Sequence, residues 1–251
     1  MAEAILEIAG VSKSFDGLRA VDRLDLQVHR GEIVALVGPN GAGKTTLFNL
    51  LSAFLQADEG GIRFDGRDLR RESPHLVAGA GIGRTFQDLR LFRKMTVTEN
   101  VMLAFRRQVG ESVTGAFQCW RVRKQEQECA VKARESLAFV GLQEHAVALA
   151  EALSYGQQKL LALAMCLAMD AQLLLLDEPV AGVQPEMVVR ILGLLREMPA
   201  QGRTVLFIEH NLQAVTEVAD RVVVMDEGRK IAEGSPSAVL QDPRVVEAYL
   251  T

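Results

Sequence analysis

The sequence predicts an α/β fold: a parallel-sheet core with an N-terminal antiparallel β subdomain and an inserted helical subdomain. Three observations predict it. Apolar runs at Ile33–Val37, Leu173–Asp177, Thr204–Glu209 and Arg221–Asp226 read as strands, the first being the β-branched type buried on both faces. Helical spacing at Glu186–Met198 and Leu212–Ala219 alternates with them, which is the pattern of a parallel sheet with helices on both faces. From about Asp88 to Met169 the strand signals stop and helix-favouring stretches replace them.

The elements follow in order. Ile5–Ile8 and the alternation of Leu24, Leu26 and Val28 fit a half-buried antiparallel sheet. After Ile33–Val37 comes a glycine-rich turn, then Lys44–Ala53 with helical spacing of Leu47, Leu50, Leu51 and Phe54. Gly60–Phe64 and Ile82–Phe86 read as further strands. Val97–Phe105, Arg123–Val140 and Ser154–Met169 favour helix, with a loop over Gly110–Gly115. Gly228–Gly234 closes the sheet region and Val245–Leu250 forms a short terminal helix. The division is one domain over 1–251, with 1–87 and 170–251 as α/β core and 88–169 as helical subdomain.

Composition excludes several classes. The chain has 251 residues, 49% hydrophobic and 24% charged, enough for a sizeable core, so disordered and disulfide-framework proteins are out. A net charge of −4 gives no basic footprint for nucleic acid. The three cysteines have no paired spacing, which suits a reducing compartment. The longest apolar run, Leu160–Met169, is half the ~20 residues a membrane span needs, and the N-terminal segment is not a secretory signal.

Gly38-Pro39-Asn40-Gly41-Ala42-Gly43-Lys44-Thr45 matches the phosphate-loop pattern G-x-x-x-x-G-K-[ST]. Glycines let the backbone turn its N–H groups inward around an anion, and the helix N-terminus that follows favours negative charge. Lys44 is the candidate for the β- and γ-phosphates and Thr45 for Mg²⁺. A chance match in a chain this long is on the order of one in a hundred, and strand before plus helix after is the context the motif requires.

Leu173-Leu-Leu-Leu-Asp177-Glu178 is a buried strand ending in two acids, and ligands of doubly wound sheets sit at strand carboxyl ends. Asp177 is placed to order a metal shell and Glu178 to polarise an attacking water. His210 ends another strand, where plain surface is the ordinary role and a γ-phosphate contact the functional one. Gln87 follows Ile82–Phe86 and reads either as a polar cap or as an amide touching Mg²⁺ or water. Leu153-Ser154-Tyr155-Gly156-Gln157 opens a helix. Ser154 and Gln157 make a capping box, and the same helix end, with Gly156 allowing close approach, suits an anion.

Together these segments resemble the nucleotide-binding subunit of ABC transporters, over essentially the whole chain and in the family's order and approximate spacing. The resemblance implies a RecA-like phosphate-loop core that binds and hydrolyses ATP with Mg²⁺. It implies that Gly38–Thr46, with Ala42 and Thr46 among them, cradle the phosphates and that Phe15 stacks on adenine. Thr45, Asp177 and Gln87 would hold the metal, and Glu178, His210 and Gln87 would serve catalysis. A second ATPase subunit, identical or a paralogue, would present its Ser154, Gly156 and Gln157 to the γ-phosphate held by Lys44. Gln87 and the helical insertion would contact polytopic permease subunits, placing the chain peripherally on the cytoplasmic face of the cell membrane. A solute-binding protein would take part indirectly, and nucleic acid not at all.

Within the family, RTFQDLRLFRKMTVTENV, the LSYGQQ form, the insertion Arg106–Gln127 and the tail DPRVVEAYL look most like the ATPases of branched-chain amino acid uptake. Urea and amide importers are close relatives and lipopolysaccharide-export ATPases more distant ones. Tyr155 replaces the first glycine of the commoner Ser-Gly-Gly-Gln form, and Gln184 stands where most members have Asp or Asn. The long coiled-coil insertion or tandem halves of soluble ABC-type ATPases are missing from the sequence, as is the Asn-Lys-x-Asp guanine reader of a GTPase.

Overall fold

A computed structural model of the protein describes residues 3–105 and 119–250. The loop expected at Gly110–Gly115 lies outside the described residues, as does most of the Arg106–Gln127 insertion. The chain opens with β1 (Ala4–Phe15), β2 (Leu18–His29), β3 (Ile33–Val37), α1 (Lys44–Leu51), β4 (Glu59–Phe64), β5 (Arg67–Asp68), α2 (Pro74–Ala80) and β6 (Ile82–Arg84). Helices α3 (Val97–Leu103), α4 (Cys119–Val140) and α5 (Tyr155–Ala168) follow. It then returns to β7 (Leu173–Asp177), α6 (Pro185–Glu197), β8 (Thr204–Ile208), α7 (Leu212–Val218), β9 (Arg221–Asp226), β10 (Arg229–Gly234), α8 (Pro236–Val239) and α9 (Pro243–Leu250). Two compact units result: Met1–Arg84 with Gln172–Thr251, and Thr85–Ala171.

The first unit holds two sheets. One is antiparallel, in the order β2-β1-β4-β5; the other runs β10-β9-β3-β8-β7-β6. In the second sheet β9, β3, β8, β7 and β6 are mutually parallel and β10 closes the edge antiparallel to β9. Every residue of β3, β7 and β8 is buried, as the unbroken apolar runs require of parallel strands covered on both faces. Leu47, Phe48, Leu50 and Leu51 of α1 join one apolar cluster with side chains of both sheets, including Leu6, Leu26, Leu36 and Leu206.

Several boundaries differ from the sequence expectation for local physical reasons. The two short N-terminal strands are one hairpin of twelve-residue strands, with Phe15 opposite Leu18. Asp16-Gly17, both at positive φ, forms the two-residue turn that such hairpins favour. Helix α1 stops at Leu51 rather than Ala53, because the Ser52 hydroxyl donates to the Phe48 carbonyl and Ala53 adopts a φ of +56°. Strand β8 ends at Ile208, one residue before Glu209, whose side chain accepts main-chain N–H groups of the turn. Strand β6 ends at Arg84, not Phe86, as an edge strand paired to β7 over three residues.

The second unit is helical. α3 opens with a Thr96/Glu99 capping box and α5 with a Ser154/Gln157 one. Helices α3, α4 and α5 pack together, and Val97 and Val101, Ala133, Leu137 and Val140, and Leu160, Leu161 and Ala164 are buried on them. α4 begins at Cys119, four residues before the helix expected from Arg123.

Candidate active site

Parallel pairing fixes where the strands end. Leu36 of β3 lies opposite Ile208 of β8, and Ile208 lies opposite Asp177 of β7. One row across the sheet therefore delivers three exits side by side: the glycine-rich loop after Val37, the acids at Asp177 and Glu178, and Glu209-His210 after Ile208. This is the strand-end position where open α/β sheets bind ligands.

The loop Gly38–Gly43 is shaped by its own surroundings. A Cβ on Gly38 would stand 2.0 Å from the Met225 carbonyl oxygen, and one on Gly43 would stand 2.1 Å from the Ala20 carbonyl oxygen. Both are main-chain atoms that cannot swing aside, so these two positions exclude any side chain. The Gly228 N–H donates to the Ala42 carbonyl at 3.1 Å, tying the loop to the β9–β10 turn. Pro39 and Asn40 form its partly exposed tip, Gly41 takes a φ of +85°, and Ala42 is buried. Gly43 is the N-cap of α1 and offers no side chain to the helix's first N–H groups.

Lys44 is 6% exposed. Its Nζ donates to the carbonyls of Gly38 and Pro39, each at 2.7 Å, so the ammonium lies inside the curl of the loop. Burial pushes its pKa down, opposed by the charges of Glu178 and Asp177. Thr45 is exposed on the first turn of α1, with Thr46 half-buried beside it.

Asp177 is buried at the end of β7, and the Arg84 guanidinium lies 3.7 Å from its Oδ2. Arg84 also donates to Asn49 Oδ1 at 2.8 Å and to Ser52 Oγ at 2.7 Å, bridging β6 to α1. Glu178 takes a φ of +49°, an uncommon conformation for a non-glycine residue that turns its carboxylate out of the strand. His210 Nε2 stands 3.0 Å from Glu178 Oε1. The histidine for which plain surface was the ordinary role is therefore joined to the second acid.

Sequence reasoning missed two residues here. Arg84 falls inside the strand expected over Ile82–Phe86, and a charge beside an apolar run is the available signal. Glu209 ends the strand expected over Thr204–Glu209, yet it is 2% exposed and accepts N–H donors from Val180, His210 and Asn211.

Phe15 is at the end of β1, 43% exposed, with Lys13 Nζ 5.6 Å from the ring centroid. The remaining expected residues belong to the second unit. Gln87 is exposed in the bend after β6. The Ser154 hydroxyl accepts from the Gln157 N–H at 3.3 Å, and Gln157 Oε1 accepts from the Ser154 N–H at 2.9 Å. His145 Nε2 meets Gln157 Nε2 at 2.9 Å, and Gly156 is buried.

Among the described residues no group of three His, Cys, Asp or Glu could cage a metal. The Thr45 hydroxyl and the Asp177 carboxylate are hard oxygen donors. That set fits a cation such as Mg²⁺, which binds through one or two carboxylates plus substrate phosphates rather than an all-protein cage.

A phosphate-cradling loop beside paired acids on a parallel sheet defines a nucleoside triphosphatase of the phosphate-loop class. The sequence pattern of the ABC transporter family matches residues 21–181, and the chain belongs to that family of ATP-binding, ATP-hydrolysing subunits. A second pattern, that of the branched-chain amino acid ATP-binding cassette transporter, matches residues 229–250. The chain is 38% identical to the high-affinity branched-chain amino acid transport ATP-binding protein BraF of Pseudomonas aeruginosa, covering 100% of this chain and 99% of that one. It is 41% identical to the probable branched-chain amino acid transport ATP-binding protein LivG of Archaeoglobus fulgidus, covering 98% and 95%. Among solved structures, a nucleotide-free ATP-binding cassette from an ABC transporter superposes with a TM-score of 0.86 at 34% identity, covering 99% of this chain and all 100% of the other. An ATP-binding cassette in its ADP conformation also gives 0.86, at 35% identity and 99% coverage of both.

Proposed function

We propose that this chain is the ATPase subunit that powers import of branched-chain amino acids, working as one of two facing ATPase subunits under polytopic permease subunits on the cytoplasmic face of the cell membrane. The observation that carries the catalytic part is the row of neighbouring strand ends from which the Lys44 loop, Asp177 with Glu178, and His210 all leave, with His210 3.0 Å from Glu178. The solute rests on the full-length likeness to BraF and LivG and on the match at residues 229–250. Among the described residues no helix is long and apolar enough to cross a membrane.

In this reading the loop amides of Gly41–Thr46 and the Lys44 ammonium hold the phosphate tail, and Phe15 stacks on the base. Thr45 and Asp177 hold Mg²⁺, with Gln87 as a third oxygen donor; the bound cation supplies neutralisation of the phosphate oxygens. The Glu178 carboxylate takes a proton from the attacking water, while His210 orients Glu178 and contacts the γ-phosphate. Ser154, Gly156 and Gln157 of the second subunit close on that phosphate from outside, so ATP binding draws the two subunits together and hydrolysis releases them. The permease feels that motion through Gln87 and the helical unit, and a separate solute-binding protein delivers the cargo.

The test is reconstitution of the chain with its co-purifying permease and solute-binding protein in proteoliposomes. ATP-driven uptake of leucine, isoleucine and valine is expected, abolished by Glu178→Gln. Uptake of urea in place of those amino acids would overturn the solute, and uptake unaffected by Glu178→Gln would overturn the mechanism.

A further inference from the structure

Glu209 is not part of the machinery described above, yet it is among the most buried charged groups in the protein. It is 2% exposed, and its carboxylate accepts three hydrogen bonds, all from main-chain amides. Oε1 accepts from the Val180 N–H at 2.9 Å. Oε2 accepts from the His210 N–H at 3.1 Å and from the Asn211 N–H at 3.3 Å. Val180 lies two residues past Glu178 on the segment leaving β7. His210 and Asn211 lie on the segment leaving β8, and Asn211 is also the N-cap of α7, its side chain accepting from the Ala214 N–H at 3.2 Å. One side chain thus fastens together the two turns that carry Glu178 and His210.

Chemistry explains why a carboxylate stands there. Both of its oxygens accept, so it serves donors on two sides at once, and its charge shortens and strengthens such bonds. An amide of the same shape has one oxygen and one NH₂, and in either orientation it sets an N–H against an N–H. A hydrocarbon would leave buried N–H groups without acceptors, at a cost of about 1–3 kcal/mol each.

We propose that Glu209 is a positioning residue for ATP hydrolysis, whose carboxylate clamps the Val180 and His210–Asn211 backbones and so holds the Glu178–His210 pair in its 3.0 Å geometry. The inference rests on the catalytic reading of Glu178 and His210. Glu209 acts through the two backbones it joins. Because nucleotide affinity comes from the loop and Lys44, the clamp affects turnover rather than binding.

The experiment compares the full-length chain with its Glu209→Gln variant, by steady-state ATP hydrolysis and by amide hydrogen exchange over 178–184 and 209–214. Expected is a kcat lower by roughly tenfold or more, a KM for ATP within about threefold of the parent, and faster exchange in both segments. A double-mutant cycle with His210→Ala separates positioning from general weakening. In the His210→Ala background Glu209→Gln should add less than about a threefold loss, since the Glu178–His210 pair whose geometry it holds is already broken. An unchanged kcat, unchanged exchange, or the same multiplicative loss in both backgrounds would overturn the proposal. Failure of the underlying reading looks different: the parent chain's ATP hydrolysis would be insensitive to Glu178→Gln, whereas the exchange measurement would still report the clamp.

Discussion

The strand-end site of the first unit and the helix end of the second are built in opposite ways. At the strand ends, position is set by non-local main-chain geometry. Register aligns Leu36, Ile208 and Asp177, the carbonyls of Met225 and Ala20 press on the glycines of the loop, and Glu209 ties two turns separated by about 30 residues. At the start of α5, position is set by four consecutive residues, with Ser154 and Gln157 satisfying each other's N–H groups. A site built from distant backbones tolerates little change at its supports. One built from a local cap fails by increments, because each cap bond is worth only about 1 kcal/mol.

The sharpest way to break this comparison is at Lys44. Replacing Lys44 by Ala should lower ATP hydrolysis by about 10²–10³-fold or more, since a buried charge aimed at developing phosphate charge is removed. ATP affinity, read by titration calorimetry, should fall with it. Full affinity in Lys44→Ala would show that the curl of amides alone binds the phosphates and that the ammonium enclosed by Gly38 and Pro39 is a structural group.

Next in size is the contrast between Gly43 and Gly41. Gly43→Ala drives a Cβ to 2.1 Å from a backbone carbonyl at a φ of +94°, whereas Gly41→Ala meets nothing within 4 Å and carries only the penalty of positive φ. Overpacking plus left-handed strain should cost Gly43→Ala about 2–5 kcal/mol, against about 1–2 kcal/mol for Gly41→Ala. Thermal unfolding of the two variants reads the difference directly. Equal losses would mean that the loop shifts freely away from Ala20 and that the first unit does not brace it.

What the sequence made legible follows the same division. The phosphate loop, Asp177, Glu178 and the Ser154/Gln157 box are short contiguous patterns whose chemistry depends on near neighbours, and each stands where its motif required. The strand order, the meeting of His210 with Glu178 and the Glu209 clamp depend on which strands pair and in what register, information spread over residues 33 to 234. His210 looked like ordinary surface for that reason. Asp16-Gly17 is different: this local two-residue turn joins the short strands expected on either side into one long hairpin. Arg84 and Glu209 looked like ends of strands because a side chain that serves a distant backbone leaves no periodic trace.

The smallest expected effect decides between the two roles open to Ser154. As a cap, its hydroxyl accepts the Gln157 N–H and its own N–H is held by Gln157 Oε1. As an anion contact, it faces the phosphate bound by a second subunit. Ser154→Ala removes both and should lower stability by about 1 kcal/mol. Ser154→Asp separates them, because Asp caps helices as well as Ser does and also suits the positive end of the helix dipole, while its charge repels a phosphate. The Asp variant is therefore expected to unfold at the parent's temperature and yet hydrolyse ATP far more slowly. If its hydrolysis instead matches the parent while Ser154→Ala loses activity only in step with its lost stability, the start of α5 is a cap and nothing more. The facing-subunit arrangement would then have to rest on other residues than Ser154.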